Sequence, residues 1–172
     1  RDEGWLAEHM LVLRVTSPDG DLFYSMKNVK GQSWDETIDG LSLNENLEIL
    51  IDVCDAIAFA HAEGVIHRDL KPQNIMTGGF GEVLVLDWGL AKILGKGGSS
   101  PVRSLRTEGN ELTRHGSIAG TAFYMPPEQA SGLVDRLDER SDVFALGAIL
   151  CEVLTGTPPY PGDRGEAIAA AA

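Results

Sequence analysis

The stretch His67-Arg68-Asp69-Leu70-Lys71-Pro72-Gln73-Asn74 gathers one carboxylate, one ammonium and one carboxamide within a short span. That inventory suits phosphoryl transfer. A carboxylate can orient an attacking hydroxyl and accept its proton, an ammonium can neutralise a migrating phosphoryl group, and an amide oxygen can ligate a hard cation. Beyond the next apolar run, Asp87-Trp88-Gly89 adds a second carboxylate at a strand end, where it can hold Mg2+ against nucleotide phosphates. Read singly, Asp69 or Asp87 is an ordinary turn residue or helix cap, and His67 a satisfied core histidine. Their order and combination carry the chemical reading.

These residues need elements to position them. Ser42-Leu43-Asn44-Glu45 has capping-box spacing, and Leu43, Leu47, Leu50, Cys54, Ile57 and His61 recur in steps of three and four, predicting a helix with one buried face that stops just before Gly64. Ile75-Met76 and Val83-Leu84-Val85-Leu86 flank Gly78-Gly79-Phe80-Gly81 and predict a hairpin. Leu11–Val15 and Leu22–Met26 predict another around Ser17-Pro18-Asp19-Gly20. Two strands alone are not stable in water, so that hairpin must lean on something larger. Residues Lys27 to Gly40 are polar and irregular, and read as a connector. Residues 95 to 117 are rich in Gly, Ser, Thr and Arg without periodicity, and form a loop too long to be a mere connection. From Ser141 to Gly156, Val143, Leu146, Ile149, Leu150, Val153 and Leu154 predict a second strong helix ended by Gly156 and Pro158. The Ala-rich end has helical composition.

Composition sets outer bounds. At 172 residues, 43% of them hydrophobic, the chain suffices for a folded unit with a sizeable core. Its formal charge of −12 disfavours nucleic acid and anionic lipid as partners. Arg103, Arg106 and Arg114 are interspersed with Glu108 and Glu111, a mixed-charge loop rather than a basic patch. Cys54 and Cys151 lack the spacing of a zinc site or disulfide framework and are expected to be reduced and buried. No apolar run approaches the roughly eighteen residues of a membrane span, and the start lacks a signal segment. A cytoplasmic setting is expected, with any membrane anchor lying elsewhere in a longer parent protein.

Together these motifs resemble the protein kinase family, of the eukaryotic-like Ser/Thr type found in bacteria. His67-Arg68-Asp69 with Asn74 is similar to the catalytic loop, and Asp87-Trp88-Gly89 to the Asp-Phe-Gly triplet. Gly120-Thr121 and Pro126-Pro127-Glu128 resemble the end of the activation segment, with Pro126 where the family usually has Ala. Ser141-Asp142-Val143 through Gly147 resembles the long helix of the large lobe. The resemblance implies an α+β kinase-like fold held in part: residues 1–31 as the last small-lobe antiparallel strands and hinge, and 32–172 as the helical large lobe. Within the latter lie the catalytic loop 67–74, the activation segment 87–128 and a central helix over about 139–156, with the C-terminal helices missing.

Carried over by resemblance, Asp69 is the catalytic carboxylate, Lys71 contacts the transferred phosphate, and Asn74 and Asp87 hold Mg2+. Met26 falls at the gatekeeper, Lys27, Asn28 and Val29 at the hinge that meets adenine, and Met76 at the apolar floor beneath it. Arg68 implies an activation loop ordered by phosphorylation, with Thr113 and Ser117 as candidate acceptors. Lys71 with Thr121 implies Ser/Thr rather than tyrosine specificity. Asp142 would accept hydrogen bonds from the catalytic-loop backbone, whereas Glu128 would pair with an Arg not present in this sequence. His67 would pack structurally. The implied activity is transfer of the ATP γ-phosphate to Ser or Thr hydroxyls of protein substrates, in signalling by phosphorylation.

Departures leave alternatives open. No Gly-rich phosphate loop and no strand Lys with an acidic helix partner precede residue 10, so this stretch alone is expected to be nearly inactive while the parent protein is active. A pseudokinase or regulatory scaffold would keep the fold for binding; intact Asp69, Lys71, Asn74 and Asp87 weigh against it. A small-molecule phosphotransferase of kinase-like fold shares the Asp and Asn, but the segment ending in Pro126-Pro127-Glu128 resembles a platform for protein substrates. Trp88, in place of Phe, is either a larger apolar plug or a bias of the triplet towards an inactive orientation.

Gln73 stands where basophilic kinases carry Glu, which removes one carboxylate able to attract a substrate Arg. A peptide-library assay is expected to find weak preference for basic residues upstream of the acceptor. Strong Arg selection there contradicts this reading.

Overall fold

The computed structural model describes residues 12–16, 22–26, 30–88, 92–93, 122–162 and 164–172. The chain divides into two compact units, Arg1–Gly31 and Gln32–Ala172. In the first, β1 (Val12–Thr16) and β2 (Leu22–Met26) form an antiparallel hairpin, with Val12 opposite Met26 and Thr16 opposite Leu22.

The second unit opens with β3 (Gln32–Ser33) and the single helical turn α1 (Trp34–Thr37), inside the segment expected to be an irregular connector. Tertiary contacts override the polar local sequence. β3 adds a third strand to the hairpin of β5 (Ile75–Thr77) and β6 (Val83–Val85), and Trp34 is fully buried in the core. Trp34 Nε1 donates to Asn46 Oδ1 at 2.8 Å, and Asn46 Nδ2 donates to the Ile38 carbonyl at 2.9 Å. One buried carboxamide thus satisfies two otherwise orphaned groups.

Helix α2 (Leu43–Ala62) starts with the expected capping box. Ser42 Oγ accepts from the Glu45 N–H at 3.3 Å, and Glu45 Oε2 accepts from the Ser42 N–H at 2.8 Å. Gly64, at φ 77°, supplies the left-handed residue past its end. The period of the buried face is as expected, but its phase differs. Asn46, Leu50, Val53, Ile57 and Ala60 are buried, while Leu43 and Cys54 are exposed. The polar Asn46, drawn inside by Trp34, rotates the stripe away from the Leu43-Leu47 line. Cys54 is therefore outside the core, contrary to expectation, and Cys151 is half-buried; both are free thiols.

β4 (Val65–Ile66) pairs antiparallel with β7 (Lys92–Ile93), on either side of the hairpin in sequence. A 3-10 turn (Pro72–Asn74) leads directly into β5, with Pro72 at a first-turn position where its missing N–H does no harm. After a further 3-10 turn (Ala122–Tyr124) come α3 (Pro127–Ala130) and α4 (Glu139–Thr155). Asp138 caps α4 by accepting from the Arg140 N–H, and Gly156 closes it at φ 76°. Its buried face consists of Ser141, Asp142, Ala145, Ala148 and Ile149, while Val143 and Leu154 are exposed. Helix α5 (Arg164–Ala171) completes the described chain.

The core joins Trp34 and Ile38 to Leu50, Val53 and Ile57 of α2, Leu70, Ile75, Tyr124, and Ala145, Ala148 and Ile149 of α4. Leu70 and Ile75 bracket the segment Lys71–Asn74, so burial at both ends fixes where its polar side chains emerge. Asn46→Ala strands the indole N–H and the Ile38 carbonyl and is expected to lower the unfolding free energy by about 2–4 kcal/mol in urea titration. A loss below about 0.5 kcal/mol contradicts the bridging role.

Candidate functional site

The stretch from His67 to Asn74 leaves β4 as a loop and is held mainly through its backbone. Asp142, on the first turn of α4, is fully buried. Its Oδ2 accepts from the His67 N–H and its Oδ1 from the Arg68 N–H, both at 2.8 Å. His61, from the last turn of α2, donates Nε2–H to Asp142 Oδ2 at 2.8 Å. Three donors thus surround one buried carboxylate, the condition under which burial of a charge is tolerated.

The loop geometry follows from these bonds. Arg68 sits at φ 70°, a left-handed conformation that costs a non-glycine residue about 1–2 kcal/mol. The bond from its N–H to Asp142 and one from Gln129 Nε2 to its carbonyl, at 2.8 Å, hold it there. Burial pushes the Arg68 guanidinium below its ordinary value, opposed by the Asp142 charge. The His67 ring is fixed from both sides. Its Nε2–H donates to the Leu86 carbonyl at 2.9 Å, so Nδ1 is left as the acceptor of the Asp69 N–H at 3.2 Å. A neutral imidazole with its proton on Nε2 satisfies both, and burial pushes its pKa down, opposed by the Leu86 bond and the charges of Asp142, Asp69 and Asp87.

Three side chains converge at the end of this scaffold. Lys71 Nζ donates to Asp69 Oδ2 at 3.1 Å, and Asn74 Nδ2 donates to the Asp69 carbonyl at 2.8 Å and to Oδ2 at 3.3 Å. Asn74 is buried, and a planar amide committed through its nitrogen presents its oxygen on the opposite side. Asp87 follows β6 at φ 56°, a conformation that Asp tolerates better than most residues. The Leu86 N–H donates to the Asn74 carbonyl at 2.7 Å, coupling the backbone of these two residues. An amide oxygen and a carboxylate are hard donors that suit Mg2+, which takes its remaining ligands from phosphate and water. Among the described residues no group of three His, Cys, Asp or Glu is placed to hold a metal.

Of the other residues singled out by sequence, Met76 lies on β5 opposite Leu84 and Met26 ends β2. Lys27, Asn28, Val29, Gly89, Thr113, Ser117, Gly120 and Thr121 lie outside the described residues. Glu128 accepts from Ser141 Oγ at 2.8 Å. Sequence reasoning missed several contacts: His61 on Asp142, Gln129 on Arg68, and Tyr124, whose hydroxyl donates to Glu152 Oε2 at 2.7 Å. Burial first, then this bond, pushes the Tyr124 hydroxyl up, and burial raises the Glu152 carboxyl. The signal for His61 was its place at the end of α2, where periodicity reads it merely as one more inward residue.

The protein kinase domain family model matches residues 10–172, and the chain belongs to that family. It is 43% identical over 123 residues to the serine/threonine-protein kinase PknB of Mycobacterium tuberculosis, which covers 72% of this chain and 18% of the relative. The Mycolicibacterium smegmatis PknB is 40% identical over 157 residues, covering 89% of this chain and 23% of the relative. The Protochlamydia amoebophila kinase PknD is 41% identical over 134 residues, or 73% and 13% of the two chains. The chain therefore spans about a fifth of the length of the PknB relatives it matches. Protein kinase domains as a family use ATP and a divalent metal. Among the described residues no helix is long and apolar enough to cross a membrane.

The depressed His67 pKa makes stability pH-dependent. An unfolded histidine takes up a proton near pH 6.5 while the folded one stays neutral, so this contribution is full above that pH and is lost as pH falls. The unfolding free energy is expected to fall between about pH 7.5 and about pH 5.5, by at most about 1.4 kcal/mol per pH unit from this site. His67→Phe should flatten that slope. An unchanged slope in the variant contradicts the assignment.

Proposed function

We propose that the chain is the catalytic part of a Ser/Thr protein kinase that transfers the ATP γ-phosphoryl group to Ser or Thr hydroxyls of protein substrates. The observation that carries this reading is the convergence of Lys71 and Asn74 on Asp69, on a loop whose backbone is tied to the buried Asp142. Asp69 orients the substrate hydroxyl and accepts its proton as the new O–P bond forms and the bond to the ADP oxygen breaks. Lys71, beside it, neutralises charge on the transferred group. Asn74 and Asp87 hold Mg2+, whose chemistry when bound is to neutralise the nucleotide phosphates.

Residues 1–31 are assigned the last small-lobe strands and hinge, and Met26, Lys27, Val29 and Met76 are assigned roles in nucleotide binding. Residues 32–172 are assigned the large lobe. Arg68 is assigned the pairing with a phosphorylated Thr113 or Ser117, and Thr121 a place beside the substrate hydroxyl. The identities to PknB relatives and the presence of Lys71 two residues after Asp69 support the Ser/Thr assignment.

With the whole protein, Asp69→Asn is expected to lower kcat by about 10^3 while leaving the KM for ATP within about threefold. Asp87→Asn should abolish phosphorylation at every Mg2+ concentration tried. Full phosphotransfer by either variant contradicts the proposed roles.

A further inference from the structure

Trp88 stands where the kinase triplet usually has Phe, and its surroundings give the indole a task that Phe lacks the chemistry to perform. Its Nε1–H donates to the Val85 carbonyl at 3.0 Å. Its ring also lies against His67, with centroids 4.6 Å apart and planes tilted by 59°. His67 in turn donates to the next carbonyl along, that of Leu86, whose own N–H donates to Asn74. Three polar groups immediately before Asp87 are therefore occupied, two of the three by side chains whose rings pack together. Between these anchors and Trp88, Asp87 holds its left-handed conformation at φ 56°.

We infer that Trp88 is a positioning residue for Asp87, its indole bond closing residues 85–88 into a turn that keeps the Asp87 carboxylate on the metal-holding side. The inference rests on the metal role proposed for Asp87. Turning Asp87 out of the left-handed region moves the indole relative to Val85, and the N–H then loses its acceptor in a half-buried setting. Phe at this position fills space but brings no donor. One such bond biases a two-state equilibrium by about fivefold. The indole accordingly favours the metal-holding orientation, rather than the inactive one that was the sequence's other alternative.

Two measurements on the whole protein test this apart from the kinase reading. In 1H–15N spectra the Trp88 indole resonance, assigned by its loss in Trp88→Phe, is expected to exchange with solvent at least about tenfold more slowly than a free indole. Exchange at the free rate overturns the inference. By calorimetry, Trp88→Phe is expected to weaken ADP binding about fivefold in Mg2+ and to leave it unchanged in EDTA. A β-(3-benzothienyl)alanine at position 88, which keeps the bicyclic ring and lacks the N–H, should reproduce that effect. Wild-type affinity in the benzothienyl variant, or equal losses with and without Mg2+, overturns the positioning role. Wild-type ADP binding that ignores Mg2+ sinks the kinase reading instead, and the indole exchange rate then still decides whether the bond closes the turn.

Discussion

A single buried carboxylate organises the candidate site. Asp142 has no solvent contact, and its oxygens accept from two consecutive backbone N–H groups and one imidazole. A buried ionised group without such partners costs several kcal/mol, so the donors and the carboxylate require one another. The helix α4 that carries Asp142 is held by core packing through Ala145, Ala148 and Ile149, which makes it a rigid reference for a loop with no ladder hydrogen bonds of its own. Asp69 follows immediately after the two tethered residues, and its direction is thereby set.

The same helix positions the rest of the neighbourhood through polar contacts. Ser141, adjacent to Asp142, donates to Glu128 of α3, and Gln129 of α3 donates to the Arg68 carbonyl. Glu152, nearly three turns further along α4, accepts from Tyr124 in the 3-10 turn that precedes α3. The loop bearing Asp69 and the segment Tyr124–Gln129 are thus referred to one element. On the opposite flank His67 ties the loop to Leu86, and Trp88 ties the triplet to Val85, so the residue assigned to proton transfer and those assigned to the metal share one hydrogen-bonded frame.

Much of this was legible in the sequence where a residue type has few uses. The capping box at Ser42, the glycines ending α2 and α4, and the hairpin around Gly78–Gly81 all follow from local chemistry. Phase was less legible. Hydrophobic periodicity assigns Leu43 and Cys54 to the inner face of α2, yet a buried Asn46 bonded to Trp34 turns that face, and Ser141 and Asp142 do the same to α4. Polar residues inside a core defeat a rule that sorts only by hydropathy. The strand Gln32–Ser33 depends on partners some 40 residues away, and the burial of Trp34 on core residues from Leu50 to Ile149, which no local pattern reveals. For the site, residue types and spacing named Asp69, Lys71, Asn74 and Asp87, whereas His61, Gln129 and the indole bond of Trp88 emerge only from tertiary geometry.

Native-state hydrogen exchange at the His67 and Arg68 amides, compared between wild type and Asp142→Asn, tests the central role of Asp142 most directly. A carboxamide keeps the shape but turns a donor towards one of the two N–H groups. Both amides are expected to be strongly protected in the wild type and to lose at least about 100-fold protection in the variant, while amides in the middle of α2 keep theirs. Rapid exchange of the two amides in the wild type, or undiminished protection in Asp142→Asn, would show that something other than this carboxylate holds the loop.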